Sequence, residues 1–359
     1  MSESDSPKAQ ARAFLKIAHQ YRLGELPTEQ SHPWSQDLSM LATNDLEAGF
    51  DVFRKIDLAA LDIAIEAAEN IASLASDIAD TFERGGRVFL SGCGATGRLA
   101  LTVESLCQDG LVPEPFQDSV VGFMAGGDAA LIRSLEGFED REDYGRRQLE
   151  DLGFTEKDLM IGISEGGETP FVIAATERAA DLGAPVWFCF CNPEAILESV
   201  AERSRRILAR RGVKRIPLLT GPMALSGSTR LQATTVQLLA VACALRYFET
   251  PESIDAYIRG LKKILEDIDY AQMARFTELE SKCVKAGGHI LYQTDKYGLT
   301  VLTDTTERAP TFSLNPFENT QRSDQPNSLV YLSVNKSRES LEAWEGILGR
   351  KPRTLAWPE

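Results

Sequence analysis

Histidine is nearly absent: His19, His32 and His289 are the only three in 359 residues. So few imidazoles exclude a metal site built on paired histidines, and the six cysteines do not replace them. Cys93, Cys107, Cys189, Cys191, Cys243 and Cys283 follow no disulfide framework, and Cys189 and Cys191 lack the spacing of a metal finger. Several lie in apolar runs, which marks them as buried structural residues in a reducing compartment, and neither metal nor cofactor is expected. Long apolar stretches are missing too: none approaches the ~18–20 residues of a membrane helix, so no membrane partner is expected. With no apolar leader at the N-terminus, the expected location is cytoplasmic. Positive charge is in deficit, 38 Lys and Arg against 53 Asp and Glu for a net −15. That field repels nucleic acid, and a small anion is held only in a local pocket.

What is present is ordinary globular material, 43% hydrophobic and 25% charged, in a chain long enough for two domains. Ser6 to Tyr21 reads as an amphipathic helix, followed by an extended or turn segment around Gly24, Pro27 and Pro33. Leu58, Leu61, Ile65, Ile71, Leu74, Ile78 and Phe82 recur at helical spacing and predict one long helix from Asp57 to Arg84, stopped by Gly85 and Gly86. Short apolar runs then alternate with helical stretches. Strands are predicted at Val88–Ser91, Val120–Met124, Leu159–Ile163, Val186–Cys191 and Ile216–Leu219; helices are predicted at Leu99–Cys107, Ala129–Leu135, Phe171–Leu182 and Thr229–Phe248. The alternation predicts an α/β fold, a three-layer αβα sandwich with a central parallel sheet. Gly287-Gly288-His289-Ile290 echoes Gly85-Gly86-Arg87-Val88 and starts a second, incomplete copy, with a strand at Leu329–Val334 and a helix near Ser337–Leu348. The expected organisation is an N-terminal arm over 1–55, the main domain over 56–250, a helical connector over 251–286 and the partial second unit over 287–359.

Ligands of open parallel sheets bind beyond the carboxyl ends of the strands. Three strand-to-helix turns there carry glycine and hydroxyl groups. The first, Ser91 to Arg98, offers Gly94, Ala95, Thr96, Gly97 and the cation of Arg98 at a helix start, where backbone amides cradle a phosphate. Its Gly92-x-Gly94-x-x-Gly97 spacing also fits a dinucleotide fingerprint, but Asp118 precedes the next strand where that fingerprint needs an acid to close it. The second turn, Gly162 to Pro170, offers Ser164, Gly166, Gly167 and Thr169, with helix capping as the alternative role of its hydroxyls. The third, Leu225 to Arg230, offers Ser226 and Ser228. Glu139, in the Leu135–Asp140 run, and Glu104, on the helix after the first turn, are the candidate acid–base groups. Glu165 and Glu168 flank the second turn and would repel a dianion unless they point away.

These turns, with Met124 to Asp128, Leu135 to Asp140 and Cys191-Asn192-Pro193, resemble the sugar isomerase (SIS) domain group. Within it they are similar to the N-acetylmuramic acid 6-phosphate etherases and the glucokinase regulatory proteins. The resemblance spans roughly Ser35 to Phe248 and implies a phosphosugar ligand. Past Gly287 it is to the second SIS domain of the regulators, which tips the reading toward a sensor of that type, with reduced catalysis. Etherase-like lyase action is the alternative. A homodimer or a sugar-kinase partner is implied. Etherases carry two glutamates; one falls on Glu139 and the other on Leu106, which cannot move a proton, and Glu104 two residues earlier points roughly 200° away around the helix. Ala95, Thr96, Gly166 and Gln232 also depart from the etherase pattern.

Overall fold

Successive side chains of a strand face opposite sides of its sheet, and here both sides are apolar. Val88 and Leu90 face one side and Phe89 the other, each fully buried. The computed structural model describes residues 6–18, 22–132, 135, 137–295, 297–306, 329–355 and 357. Among them, β1 (Val88–Gly92), β2 (Val120–Met124), β3 (Leu159–Ile163), β4 (Val186–Phe190) and β5 (Val213–Pro217) form one parallel sheet in the order β2-β1-β3-β4-β5.

Before the sheet come α1 (Pro7–Ile17), α2 (Leu38–Asn44), α3 (Leu46–Glu66) and α4 (Ala68–Glu83). The crossovers carry α5 (Gly94–Leu106), α6 (Glu142–Asp151), α7 (Pro170–Asp181), α8 (Glu194–Val200) and α9 (Glu202–Leu208). After the sheet come α10 (Gln232–Arg246), α11 (Ile254–Glu266) and α12 (Ala271–Lys285). One face of the sheet is covered by α3, α4, α5 and α10, the other by α6, α7, α8 and α9, which gives the expected three layers. No helix among the described residues is long and apolar enough to cross a membrane.

The single long helix expected from Asp57 to Arg84 is two helices. α3 starts earlier, at Leu46 behind the Asp45 cap, and ends at Ala67, whose ψ of 2° leaves the helical range. Apolar spacing continues across that break because both helices press on the same core, so periodicity could not mark it. The helix expected over Ala129–Leu135 is a 3₁₀ turn at Asp128–Leu131, and α6 follows where no helix was predicted. Only Gly145, Gln148 and Leu149 of α6 are buried, too few to print a periodic signal. The last strand sits earlier than Ile216–Leu219, because an edge strand that buries only Val213 and Ile216 reads as polar.

Beyond the connector, β6 (Ile290–Thr294) and β7 (Val330–Val334) pair in parallel, with α13 (Gly298–Thr306) and α14 (Ser340–Leu348) beside them. Leu299, Leu302, Ile347 and Leu348 join Leu101, Met124 and Leu131 in a third apolar cluster, so this unit packs against the β2 edge and α5. A two-stranded parallel sheet buries too little to stand alone, and the neighbouring core supplies the rest.

On α3, burial pushes the Asp57 carboxyl up to about 6. The folded chain then binds this proton more tightly than the unfolded chain, so stability falls as pH rises from about 4 to about 6 and stays level above. Asp57→Asn is expected to add about 1–2 kcal/mol at neutral pH and nothing at about pH 4, which thermal melts at the two pH values will read.

Candidate functional site

In a sheet of order 2-1-3-4-5 the chain reverses direction between β1 and β3, and the crevice outside their carboxyl ends is the favoured ligand position. Ser91 pairs with Gly162, so the turns that follow β1 and β3 leave the sheet side by side at that crevice.

In the first turn, the Thr96 hydroxyl accepts from the Cys93 amide and donates to the Cys93 carbonyl, both at 2.9 Å, while the Cys93 side chain accepts from the Thr96 amide. The hydroxyl expected to hold phosphate is therefore spent on closing the helix start. No bond among the described residues takes the Gly94 or Ala95 amide, and these remain the donors of the turn. Arg98 does not face the crevice either. It is 1% exposed and donates to the carbonyls of Gly94 and Ala130, so it ties the helix start to the 3₁₀ turn after β2. Gly97 serves packing: a Cβ there would lie 2.5 Å from Met124 Cβ.

In the second turn, Ser164 Oγ accepts from the amides of Gly167 (3.0 Å) and Thr169 (3.4 Å) and lies 3.0 Å from Thr169 Oγ1. A hydroxyl has two lone pairs and one proton. The two hydroxyls share one hydrogen bond in which either oxygen can donate, so Ser164 closes the turn and Thr169 packs against it. Gly167 has φ +77° and no room for a Cβ beside Leu197 and Phe190; Gly166 gives its carbonyl to Asn192.

The third turn is joined to the second by Glu165, which accepts from Thr229 Oγ1 (3.0 Å) and from Thr234 Oγ1. Ser228 Oγ is buried with no bonding partner, an orphan beside this junction. Ser226 is exposed and donates to the Glu29 carbonyl, so it belongs to the contact with the N-terminal arm. Gln232, where the resembled families carry lysine, bonds the Ala224 amide and the Pro222 carbonyl and supplies no charge.

Glu168 pairs with Arg203, while Glu165 lies among threonines and joins the second turn to the third. Glu29 comes in from the arm, its carboxyl raised by burial and by Glu168. The arm was not legible as part of the site, yet Thr28 is fully buried and exchanges two hydrogen bonds with Asn192, and His32 and Gln30 bond Met223. The only early signal was the Cys191-Asn192-Pro193 run.

The two candidate acids part company. Glu139 is exposed, and its carbonyl accepts from the Phe171 amide at 3.0 Å, so its loop caps α7 immediately after the second turn. Glu136 of the same run lies outside the described residues. Glu104 is 2% exposed, and both its oxygens are held: Oε2 by Arg350 Nε at 2.9 Å and Oε1 by Arg353 Nη2 at 2.6 Å. Burial raises its carboxyl and the two guanidinium groups oppose that. Glu104 thereby anchors the segment that carries Arg350 and Arg353 to α5. Leu106 lies at the far end of α5, twelve residues past Gly94 or about 18 Å at 1.5 Å each.

Residues 66–180 match the family model of the glucokinase regulatory protein N-terminal SIS domain. The chain is 37% identical over 218 residues to the N-acetylmuramic acid 6-phosphate etherase of Synechococcus sp. (strain CC9902), covering 61% of this chain and 64% of that protein. It is 39% identical over 218 residues to the etherase of Thermosynechococcus vestitus, covering 61% and 66%. With the etherase of Trichormus variabilis the identity is 35% over 225 residues, 63% and 68% of the two chains. The chain thus spans 64–66% of the length of the first two relatives. These similarities, over 61–63% of the chain, are to etherases, and the expected regulator type has the family match over 66–180 on its side. A five-stranded parallel sheet with its turns gathered at the switch point, and 35% identity across 68% of an etherase, place the chain in the N-acetylmuramic acid 6-phosphate etherase family of SIS-domain proteins.

Proposed function

We propose that the protein binds an amino-sugar 6-phosphate at the β1/β3 crevice and cleaves its lactyl ether, with Glu139 as the acid–base residue. The observation that carries the reading is the Glu139 carbonyl bonded to the α7 start, next to the turn of Ser164 and Thr169. The Gly94 and Ala95 amides and Thr169 hold the phosphoryl oxygens, and the orphan Ser228 hydroxyl takes a further ligand oxygen. Expelling lactate breaks the C–H bond beside the carbonyl of the open-chain sugar and the neighbouring C–O bond, and leaves a double bond between those two carbons. A carboxylate at this position takes that proton and returns it to the departing ether oxygen, so that one group serves both halves of the step.

A second reading has its own observation. Leu106 has no acidic group and Glu104 is held by two arginines, so the two-glutamate arrangement of the resembled etherases is not reproduced in this chain. Binding without turnover then follows. Incubation with N-acetylmuramic acid 6-phosphate separates the two: lactate release that falls by about 10²-fold or more in Glu139→Gln supports the lyase. Binding heat with no lactate supports the second reading, and no heat at all rejects both.

A further inference from the structure

We propose that residues 350–355 together with Trp357 form a strap that positions the Glu139 loop, with Trp357 as its positioning residue. The inference rests on the reading of Glu139 as the acid–base group. The strap is fixed at one end by charge. Arg350 spans Glu104 and Asp128, at 2.6 Å from Asp128 Oδ2; Arg353 holds Glu104 and donates to the Gly122 carbonyl at 3.1 Å. The backbones of Arg353 and Asp128 also bond, since the Arg353 amide donates to Asp128 Oδ2 and the Asp128 amide to the Arg353 carbonyl.

At the other end Trp357 meets α6 and the loop before it. Its ring stacks on Phe138 at 6.2 Å and 18°, meets Tyr144 edge-on at 5.0 Å and carries the Arg147 guanidinium at 4.6 Å. Its Nε1 donates to Asp151 Oδ2 at 2.7 Å. Phe138 is the residue before Glu139. The loop is therefore pinned on one side by the bond from Phe171 to the Glu139 carbonyl and on the other by the Trp357 stack. A loop pinned at one point samples many positions, whereas a second contact at the neighbouring residue confines it. A cavity of about 450 Å³ lies under the strap between β2 and α6, so the strap meets this edge of the sheet through anchored side chains and not through continuous packing.

Trp357→Ala is expected to speed hydrogen exchange of the 137–141 amides by about tenfold while exchange in β1 and β3 stays as in the parent protein. With N-acetylmuramic acid 6-phosphate, lactate turnover falls by a similar factor and the binding constant from titration is unchanged; Trp357→Phe, which keeps the stack and loses the bond to Asp151, restores exchange and turnover in part. Asp151→Ala, at the surface, weakens the same anchor without touching the core and gives an intermediate exchange rate. Unchanged exchange of 137–141 in both Trp357→Ala and Asp151→Ala overturns the proposal. The exchange readout needs no turnover, so a parent protein that releases no lactate rejects the lyase reading while leaving the strap decided on its own measurement.

Discussion

Arg350→Met is expected to lower stability by about 3–5 kcal/mol, because it leaves Glu104 and Asp128 buried with a single cation between them. Arg350 has 13% of its side chain exposed, Glu104 2% and Asp128 6%, so solvent does little to replace the lost partner. Arg353 is 35% exposed and reaches Asp128 only through its backbone amide. The pH dependence gives the sign. In the variant Glu104 loses one of the two guanidinium groups that oppose its burial, so its carboxyl rises further, and the loss is full at neutral pH and shrinks as Glu104 protonates on acidification. Arg350→Lys recovers little, since one ammonium cannot span two carboxylates as the guanidinium fork does. Adding Glu104→Gln to Arg350→Met recovers part of the loss. Denaturant midpoints of the parent, Arg350→Met, Glu104→Gln and the double variant at neutral and acidic pH measure the cycle. A loss below about 1 kcal/mol would mean that the arginine is a surface decoration and the acids are solvated.

Gly92→Ala is expected to be as damaging, for a reason of space alone. A Cβ at Gly92 would fall onto the backbone carbonyl carbon and oxygen of Thr96 and the amide of Gly97, so the first turn of α5 must move away from the end of β1. Backbone cannot swing aside as a side-chain tip does, and the cost sits at or above the upper end of the roughly 1–3 kcal/mol of ordinary overpacking. Function suffers separately. The Gly94 and Ala95 amides travel with that helix start, so molecules that still fold lose phosphosugar affinity. A titration of the folded fraction against N-acetylmuramic acid 6-phosphate reads this, and parent-like affinity would show that these amides do not face the ligand.

The positions of the hydroxyl turns were legible in advance; their division of labour was not. Glycine beside serine or threonine at a strand end signals a helix start in any parallel sheet, and three such ends were found from spacing alone. Whether a hydroxyl donates outward or closes its own turn depends on which amide lies within 3 Å of it. Thr96 and Ser164 turned inward, and Thr169 shares a hydrogen bond with Ser164. The same limit applied to Arg98 and Glu104. Each is a charged residue on the helix after a glycine turn, which reads as site chemistry, yet Arg98 meets two carbonyls and Glu104 two arginines from about 250 residues away.

The amino-acid sequence by itself determined the layered α/β architecture, because strands buried on both faces must be continuously apolar and helices must repeat at 3.6 residues, patterns that local composition displays. Only the tertiary structure decided which polar groups face a ligand. It laid the N-terminal arm on the rim through Thr28 and Asn192 and drew Arg350 and Arg353 onto Glu104. Those choices depend on partners distant along the chain, and a buried charge takes its role from whichever opposite charge the fold brings to it.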